Sequence, residues 1–258
     1  QTVVHNELQL QALEQAELEG QLKIWLKIDT GMHRLGVAPE QFAEFYRRLW
    51  QCSAVQPGIR IMSHFSCADF PGSAETVQQL TLFKQLCADK AEQQSLANSA
   101  AIISLPQSHG DWVRPGLMLH GISPLPQQHG QLHLLQPVMR LSSRLIAMRQ
   151  VKQGETVGYG GHWRASTATW IGVIAIGYGD GYPRHARNNT PVWLEGREVK
   201  LVGRVSMDMI TVDLGQSPTE NLGAEAVLWG PELAIERVAE CADTIPYELL
   251  CNIMPRVD

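Results

Sequence analysis

The secondary structure that this sequence predicts changes abruptly near residue 132, and that change constrains the fold more than any other feature. Before it, short apolar strands alternate with amphipathic helices, which we predict at 22–28, 39–51, 58–65 and 73–93. Repeated strand–helix units are typical of a parallel sheet, either open or closed into a barrel. We therefore expect an α/β domain over residues 1–132 and a mainly β domain over residues 133–258.

Almost every element predicted in the second half is a strand. The predicted strands cover 138–151, 168–176, 191–194, 199–202, 210–214 and 226–229. Glu195-Gly196 joins two of them and is typical of a hairpin turn. Two short helices are predicted at the end, at about 234–242 and 245–251. Thr244 is placed to cap the second helix, and Pro246 lies in its first turn, where a missing N–H costs little.

Two periodic patterns predict which faces are buried in the first half. Alternate residues of the first strand are apolar, namely Leu22, Ile24, Leu26 and Ile28. Residues on one stripe of the second helix are also mainly apolar, namely Val77, Leu80, Phe83 and Cys87. Both faces are expected to pack into the core of the α/β domain.

The length of the first half bears on the kind of barrel it can form. A closed (β/α)8 barrel takes about 250 residues, or about 30 for each strand–helix unit. The first 132 residues therefore hold four or five units, and a barrel of this kind would lack its beginning. The sequence also opens on Gln1 with neither an initiator Met nor a signal peptide. We expect a chain cut into the middle of a longer one, carrying the C-terminal part of a TIM-type barrel.

Composition excludes several classes of partner. The formal net charge is -5 at a pI of about 6.0, and Lys and Arg form no basic runs, which argues against nucleic acid or an anionic membrane surface. No apolar stretch is long enough to span a membrane. Five cysteines without a CxxC pair indicate buried thiols in a reducing compartment, the cytoplasm. The nine histidines show no metal-ligand spacing, so no metal is expected.

Reactive groups follow several of the predicted strands, where they would face the active-site side of a parallel sheet. The segment from Lys27 to Gly36 carries a Lys, an Asp, a His and an Arg; as a simpler alternative, it is a buried ion pair with a capping glycine. His64 ends another strand, where a lone histidine is often only a core residue. Ser99 and Gly116 lie where backbone N–H groups could cradle a phosphate. Tyr159 lies among glycines, which is also typical of a hairpin corner.

Seven blocks of this sequence occur in the same order in bacterial alanine racemases, which the whole chain resembles. They are Lys27-Ile28-Asp29-Thr30-Gly31-Met32-His33-Arg34-Leu35-Gly36, Ser63-His64-Phe65, Asn98-Ser99, Val113-Arg114-Pro115-Gly116, Val157-Gly158-Tyr159-Gly160, Ile176-Gly177-Tyr178-Gly179-Asp180-Gly181 and Gly203-Arg204-Val205-Ser206-Met207-Asp208. The resemblance implies an N-terminal (β/α)8 barrel that binds pyridoxal phosphate, a mainly β domain after it, and a cytoplasmic homodimer with shared active sites.

The resemblance also implies roles for individual residues in the interconversion of L-alanine and D-alanine. The family transfers the α-proton between two bases through an external aldimine of pyridoxal phosphate. Tyr159 matches the base that acts on L-alanine. Arg114 matches the arginine that contacts the pyridine nitrogen, and since a guanidinium keeps its proton, the ring stays neutral. His64 matches a histidine that contacts the ring region and Arg114.

Further positions match binding residues of the family. The positions that match phosphate ligands are Ser99, Gly116, Leu117 and Tyr247. Arg34 and Met207 match contacts of the substrate carboxylate. Lys27 matches a lysine that is often carbamylated and braces the arginine at Arg34, so it is not the Schiff-base residue. The positions that match the corridor leading to the active site are Tyr178, Arg184, Arg204 and Asp69, for which a solvated ion-pair network is the simpler interpretation.

The sequence departs from the family pattern chiefly at its front. The family's Schiff-base lysine lies in a Lys-Ala-Asn-Ala-Tyr-Gly-His-Gly-like block, and no lysine here has that context. The covalent anchor and the second catalytic base are therefore expected to be absent from this chain. Two smaller departures are Ser95, where some relatives have histidine, and His120, where many have tyrosine. Ser95 is expected to change part of the network around Arg114.

Two alternatives to an alanine racemase stay open at this point. A racemase of another amino acid, serine or a basic one, would keep the scaffold and change the corridor. A non-catalytic fragment that binds pyridoxal phosphate or another subunit is the alternative from a different class. The intact motifs of the second half count against it, because single-domain pyridoxal phosphate carriers are barrels without a β domain.

Overall fold

The structure, a computed structural model, describes residues 1–90, 92–126 and 135–257. It divides into two compact units, described here separately. The first comprises the described residues up to 119 together with 123–126, and the second comprises 120–122 and the described residues from 135 onward. The boundary predicted at residue 132 lies outside the described residues and stays a prediction.

The elements are bounded as follows. The strands are β1 (Thr2–Val4), β2 (Ile24–Lys27), β3 (Arg60–Met62), β4 (Gln94–Asn98), β5 (Trp112–Arg114), β6 (Leu141–Val151), β7 (Thr156–Val157), β8 (Trp163–Arg164), β9 (Thr169–Ile174), β10 (Pro191–Leu194), β11 (Arg197–Leu201), β12 (Ile210–Gly215) and β13 (Glu225–Trp229). The helices are α1 (Glu7–Glu14), α2 (Phe42–Gln51), α3 (Ala74–Leu86), α4 (Ser99–Ser104), α5 (Ile235–Cys241) and α6 (Pro246–Cys251).

The first unit is built on one sheet whose described strands follow the order β1-β2-β3-β4-β5. Every neighbouring pair is parallel, which confirms the sheet predicted from the strand–helix alternation. Ile24, Leu26 and Ile28 are fully buried, as the period of two predicts, and burying each such side chain contributes about 1.5–3 kcal/mol. Helix α2 packs against this core through Phe42 and Phe45.

The predicted buried stripe of α3 is confirmed at Leu80, Phe83 and the adjoining Cys87, but not at Val77. Val77 was expected in the core, but more than half of its surface is exposed. The buried residues of the helix are Thr76, Gln79, Leu80 and Phe83. Two polar side chains therefore occupy the inner face, and hydrophobicity alone could not identify them. The helix also ends at Leu86, several residues earlier than predicted.

The second unit is a closed antiparallel barrel with the strand order β10-β11-β12-β9-β6-β13. Closure leaves no unpaired strand edge in the barrel. The hairpin between β10 and β11 turns at Glu195 and Gly196, with φ of 44° and 90°, as a two-residue type I′ turn requires. The predicted hairpin is therefore confirmed. Tyr182 and Trp229 stack in the interior with ring centroids 6.2 Å apart.

The end of the chain confirms one helix-capping prediction and contradicts the other. Pro246 occupies the first turn of α6, as predicted. The residue that caps this helix is Ile245, and no side chain bonds to the first N–H groups. Thr244, the predicted cap, instead donates its hydroxyl hydrogen to the carboxylate of Glu248 one turn further on. A nearby acceptor on the same helix thus competes successfully for the hydroxyl.

The cysteines are free, but the prediction that they are buried holds only for Cys87. Cys251 is exposed, and Cys52, Cys67 and Cys241 are half-buried. Burial raises the pKa of the Cys87 thiol to about 12, so this group is unreactive near neutral pH. None of the described helices combines the length and the apolar character that crossing a membrane requires.

Candidate active site

The predicted reactive residues of the first unit lie together at the carboxyl ends of its strands. Lys27 is the last residue of β2, and Arg114 is the last residue of β5. His64 follows β3 by two residues, and Ser99 follows β4 directly. Because the strands are parallel, these residues share one edge of the sheet, where active sites of such folds form.

Arg114 is held by one acceptor directly after β3 and two acceptors within β4. Its Nη1 donates to Ser95 Oγ at 2.5 Å, and its Nη2 donates to the carbonyl oxygens of Ser63 at 2.6 Å and Leu96 at 3.2 Å. Each of these acceptors is neutral. The pKa of Arg114 is lowered by burial, yet the guanidinium stays charged, since its ordinary value is far above neutrality. The site therefore contains a positive charge that these partners do not neutralise.

His64 is placed beside this cation in its neutral form. Its Nδ1 lies 3.3 Å from Arg114 Nη2. A guanidinium can only donate, so Nδ1 accepts and the ring proton resides on Nε2. Burial, followed by the charges of Arg114, Arg34 and Lys27, lowers the pKa of His64 from 6.5 to about 4. The imidazole is thus an acceptor for Arg114 at neutral pH.

Lys27 lies half-buried among cations. Burial, then Arg34 and Arg114, lower its pKa, while the carboxylate of Asp29 acts in the opposite direction. Arg34 is exposed, in the loop that follows β2. The predicted bracing of Arg34 by Lys27 is an interaction of like charges when the lysine is an unmodified ammonium.

The loop that carries Arg34 is held by the side-chain carboxylate of Asp29. Asp29 Oδ1 accepts the N–H groups of Gly31, Met32 and His33 at 3.0–3.1 Å. Burial would raise the pKa of Asp29, but these hydrogen bonds outweigh it and the pKa is lowered. Gly36 closes the loop with φ of 142°, and a Cβ there would lie 2.3 Å from the backbone nitrogen of Asp29. Only glycine allows that approach.

The predicted phosphate positions lie around the start of α4. Ser99 Oγ accepts the N–H of Gly116 at 2.7 Å and that of Met118 at 3.5 Å. The hydroxyl hydrogen of Ser99 is therefore directed away from these bonds and remains able to donate. Leu117 has a buried side chain, so only its backbone can contact a ligand here. The structure thus brings Ser99, Gly116 and Leu117 together.

Tyr159 belongs to the second unit, at the tip of the β7–β8 hairpin. The glycines around it, Gly158, Gly160 and Gly161, all have positive φ, between 58° and 74°. This backbone places the phenol on the surface, with 72% of Tyr159 exposed. Its oxygen is available to a group from outside the unit.

Tyr178 and Met207 lie on two loops that are bonded to one another. The N–H of Tyr178 donates to Ser206 O at 3.0 Å, and that of Gly179 donates to Met207 O at 2.8 Å. Arg256 forms ion pairs with Asp180 at 2.8 Å and Asp208 at 2.7 Å, and so joins the same two loops. Met207 is 55% exposed.

The remaining predicted residues lie apart from these clusters or at their borders. Arg184 places its guanidinium 5.8 Å from the ring centroid of Tyr178. Arg204 is exposed in the loop before Met207, and Tyr247 is partly exposed on α6. Asp69 is half-buried in the first unit. The predicted residues therefore belong to both units, and those of the first unit include the cluster of Lys27, Arg34, His64 and Arg114.

The sequence pattern gave little indication that two further residues contribute hydrogen bonds to this site. Ser95 departs from the family pattern, yet it is fully buried and accepts from Arg114. Gln79 gave no signal because it is a polar residue inside a helical pattern. In the described part of the chain, no group of three or more His, Cys, Asp or Glu could hold a metal ion.

Comparisons with known proteins agree on one family. Profiles described as alanine racemase N-terminal domain and alanine racemase C-terminal domain match residues 1–124 and 138–258. An alanine racemase of Vibrio parahaemolyticus is 55% identical over 258 residues, which is 100% of this chain and 72% of that protein. The biosynthetic alanine racemase of Pseudomonas aeruginosa superposes with a TM-score of 0.95 at 43% identity, covering 99% of this chain and 71% of that one.

A solved structure in the comparison also contains a cofactor. The alanine racemase of Bartonella henselae, described with covalently bound pyridoxal phosphate, superposes with a TM-score of 0.81 at 28% identity. The match covers 92% of this chain and 65% of that chain. These similarities agree with a barrel domain followed by a mainly β domain.

The neutral state of His64 predicts a pH dependence of stability. Its pKa is about 4 in the folded chain against 6.5 ordinarily, so the unfolded chain binds more protons between these values. The free energy of unfolding should therefore fall as the pH drops from 6.5 towards 4. His64→Gln should show a shallower fall in urea unfolding over that interval. An unchanged pH slope in the variant would contradict a neutral, buried His64.

Proposed function

Since the chain belongs to the alanine racemase family and is thus an amino-acid racemase, an isomerase, we propose that its residues serve the interconversion of L-alanine and D-alanine with pyridoxal phosphate, although no lysine of this sequence matches the family's Schiff-base residue. The observation that carries this proposal is the cationic cluster at the strand ends. Lys27, Arg34 and Arg114 are close enough to lower the pKa of His64, and the acceptors of Arg114 are neutral. An anionic cofactor and a substrate carboxylate both fit such a site.

The residues of the first unit fit the phosphate and the ring of this cofactor. Ser99 would donate its free hydroxyl hydrogen to the phosphate, and the N–H groups of Gly116 and Leu117 would donate as well. Tyr247 is a further phosphate contact in this proposal. The cations around His64 would be relieved of mutual repulsion by an anion, since like charges lower one another's pKa.

Arg114 has a defined role towards the pyridine nitrogen. When bound, the cofactor supplies the electron sink that makes the α-proton of an amino acid acidic enough to be removed. Arg114 would donate an N–H bond to the ring nitrogen but would not transfer a proton, because a guanidinium retains its protons. His64 holds the guanidinium through its Nδ1 acceptor. This arrangement favours return of the proton to Cα over side reactions.

The groups that handle the substrate are divided between two subunits in this proposal. Arg34 would bind the alanine carboxylate, and the backbone of Met207 would contact it. Tyr159 would remove the α-proton of L-alanine. Tyr159 and Met207 are mostly exposed on their own unit, so they are available to the site of a second copy in a homodimer.

The corridor residues favour a small neutral amino acid over a basic one. Tyr178, Arg184, Arg204 and Asp69 would line the approach to the site. Arg184 and Arg204 carry exposed positive charges, and Arg34 adds a third. A basic side chain would be repelled by these like charges, whereas alanine carries no side-chain charge. This charge argument supports alanine over a basic substrate and leaves serine open.

We assign Lys27 a carbamate in the working enzyme. Its pKa is lowered, and a neutral amine is the form whose nitrogen attacks the carbon of carbon dioxide. The new N–C bond forms as the nitrogen loses a proton to solvent, which leaves an anion. That anion would pair with Arg34 in a charge-assisted hydrogen bond.

Complementation tests the role of Tyr159. A full-length alanine racemase, changed to phenylalanine at the position that matches Tyr159, is refolded with this chain and pyridoxal phosphate. Racemisation of L-alanine should recover, because this chain supplies the missing phenol. The same mixture with the Tyr159→Phe form of this chain should be at least about a hundredfold slower. Equal rates would refute the assignment, and faster turnover of serine or lysine would reassign the substrate.

Cofactor titration tests the phosphate site. Ser99→Ala should weaken binding of pyridoxal phosphate about tenfold or more, because a hydrogen bond to a charged group is lost. Binding of pyridoxal, which has no phosphate, should hardly change. Ser217→Ala, at an exposed position of the second unit, is the control. If the wild-type chain bound both compounds equally well, the phosphate site would be wrong.

Labelled bicarbonate tests the carbamate. An NMR signal from a lysine carbamate should develop in the wild-type chain near neutral pH and be absent in Lys27→Met. Lys23→Met, at an exposed lysine of the same region, should keep the signal. A signal that persisted in Lys27→Met would show that another amine carries the carbamate.

A further inference from the structure

Gln79 is a buried polar residue at the centre of the first unit, although no proposed reaction step requires it. It lies on the inner face of α3 and is 2% exposed. Its carboxamide is situated between the loop after β2 and the loop after β3. These are the loops that carry Arg34 and His64.

The hydrogen bonds of this carboxamide use both of its ends. Nε2 donates to the carbonyl oxygen of His64 at 2.9 Å and to Thr30 Oγ1 at 3.4 Å. Oε1 accepts from the N–H and from the hydroxyl of Ser66, both at 3.0 Å. The carbonyl of His64 can only accept and the N–H of Ser66 can only donate, so the orientation of the amide is determined. The backbone on both sides of the His64–Ser66 turn is therefore fixed by one side chain.

The same network reaches the partners of Arg114. Thr30 Oγ1 is hydrogen bonded to Ser63 Oγ at 2.8 Å, and Ser63 Oγ donates to Ile28 O at 2.8 Å. The carbonyl of Ser63 is the 2.6 Å acceptor of Arg114. Ser63, like Gln79 and Thr30, is buried. Gly31 completes the packing, since a Cβ there would lie 3.3 Å from Gln79 Cγ.

We propose that Gln79 is a positioning residue of the active site, which holds the His64–Ser66 turn so that His64 Nδ1 and Ser63 O both face Arg114. Gln79 touches neither cofactor nor substrate in this proposal and acts only through His64 and Ser63. The link to cofactor binding rests on the proposed function. The placement of His64 does not, and it can be measured in the chain without any ligand.

The test uses the full chain with Gln79→Met, which keeps the length and apolar packing of the side chain but removes the amide. Ser66→Ala is a milder second variant, since it removes one of the four hydrogen bonds. Gln78→Leu, at the exposed neighbouring position of α3, is the control. Nitrogen chemical shifts of His64 report its tautomer, and a pH titration reports its pKa in the presence of Arg114, Arg34 and Lys27.

In the wild-type chain and in Gln78→Leu, His64 should be the Nε2–H tautomer with a pKa of about 4. Gln79→Met should give mixed tautomers and raise the pKa by about one unit or more, because the ring gains water. Ser66→Ala should shift it in the same direction by less. Pyridoxal phosphate should bind Gln79→Met about tenfold more weakly than wild type.

Two results separate the possible failures. A destabilised Gln79→Met chain with the wild-type tautomer and pKa of His64 would overturn the proposal, because Gln79 would then be a structural residue only. If the wild-type chain itself failed to bind pyridoxal phosphate, the proposed function would fail. The His64 measurements would still decide the role of Gln79.

Discussion

The burial of the Arg114 guanidinium among neutral acceptors is the constraint on which the rest of the site depends. Removing a cation from water is costly unless its N–H groups are hydrogen bonded. Here the acceptors are the carbonyl of Ser63, directly after β3, and Ser95 Oγ and the carbonyl of Leu96, both within β4. The parallel sheet thus aligns two strands with the end of β5, which carries this side chain. A carboxylate in any of these positions would cancel the charge that the site offers to an anion.

The second unit holds its candidate site residues exposed, on loops outside the barrel core. Its barrel has a closed hydrogen-bonding pattern, so the β7–β8 hairpin and the neighbouring loops can present side chains without weakening the core. Positive φ at the glycines flanking Tyr159 holds the phenol outward. Arg256 and two aspartates join the loops of Tyr178 and Met207. Exposed ion pairs contribute little stability, so the backbone hydrogen bonds between these loops contribute most of the free energy that holds the loops together.

Local signals in the sequence predicted much of this structure, and non-local contacts account for what they missed. Strand–helix alternation predicted the parallel sheet of the first unit, and Glu195-Gly196 predicted a hairpin of the barrel in the second unit, because both depend on neighbours in sequence. The predictions for Val77 and Thr244 were wrong. Hydrogen bonds outside the sequence pattern decided both outcomes, namely the tertiary bonds of Gln79 on the inner face of α3 and the bond from Thr244 to Glu248. Ser95 and Gln79 owe their roles to partners far away in the chain, which periodicity does not reveal. The site residues were located through family motifs rather than through spacing.

The neutrality of His64 shows why burial matters more than charge repulsion in this site. Arg114, Arg34 and Lys27 all oppose protonation of the ring, but an anionic cofactor would offset their charges. If charge repulsion alone kept the imidazole neutral, binding of the anionic cofactor would favour protonation of the ring. Nδ1 could then no longer accept a hydrogen bond from Arg114. Burial is the larger cause of the lowered pKa, and an anion does not remove it. A well-packed turn at His64 therefore preserves the acceptor that Arg114 needs when the site is filled.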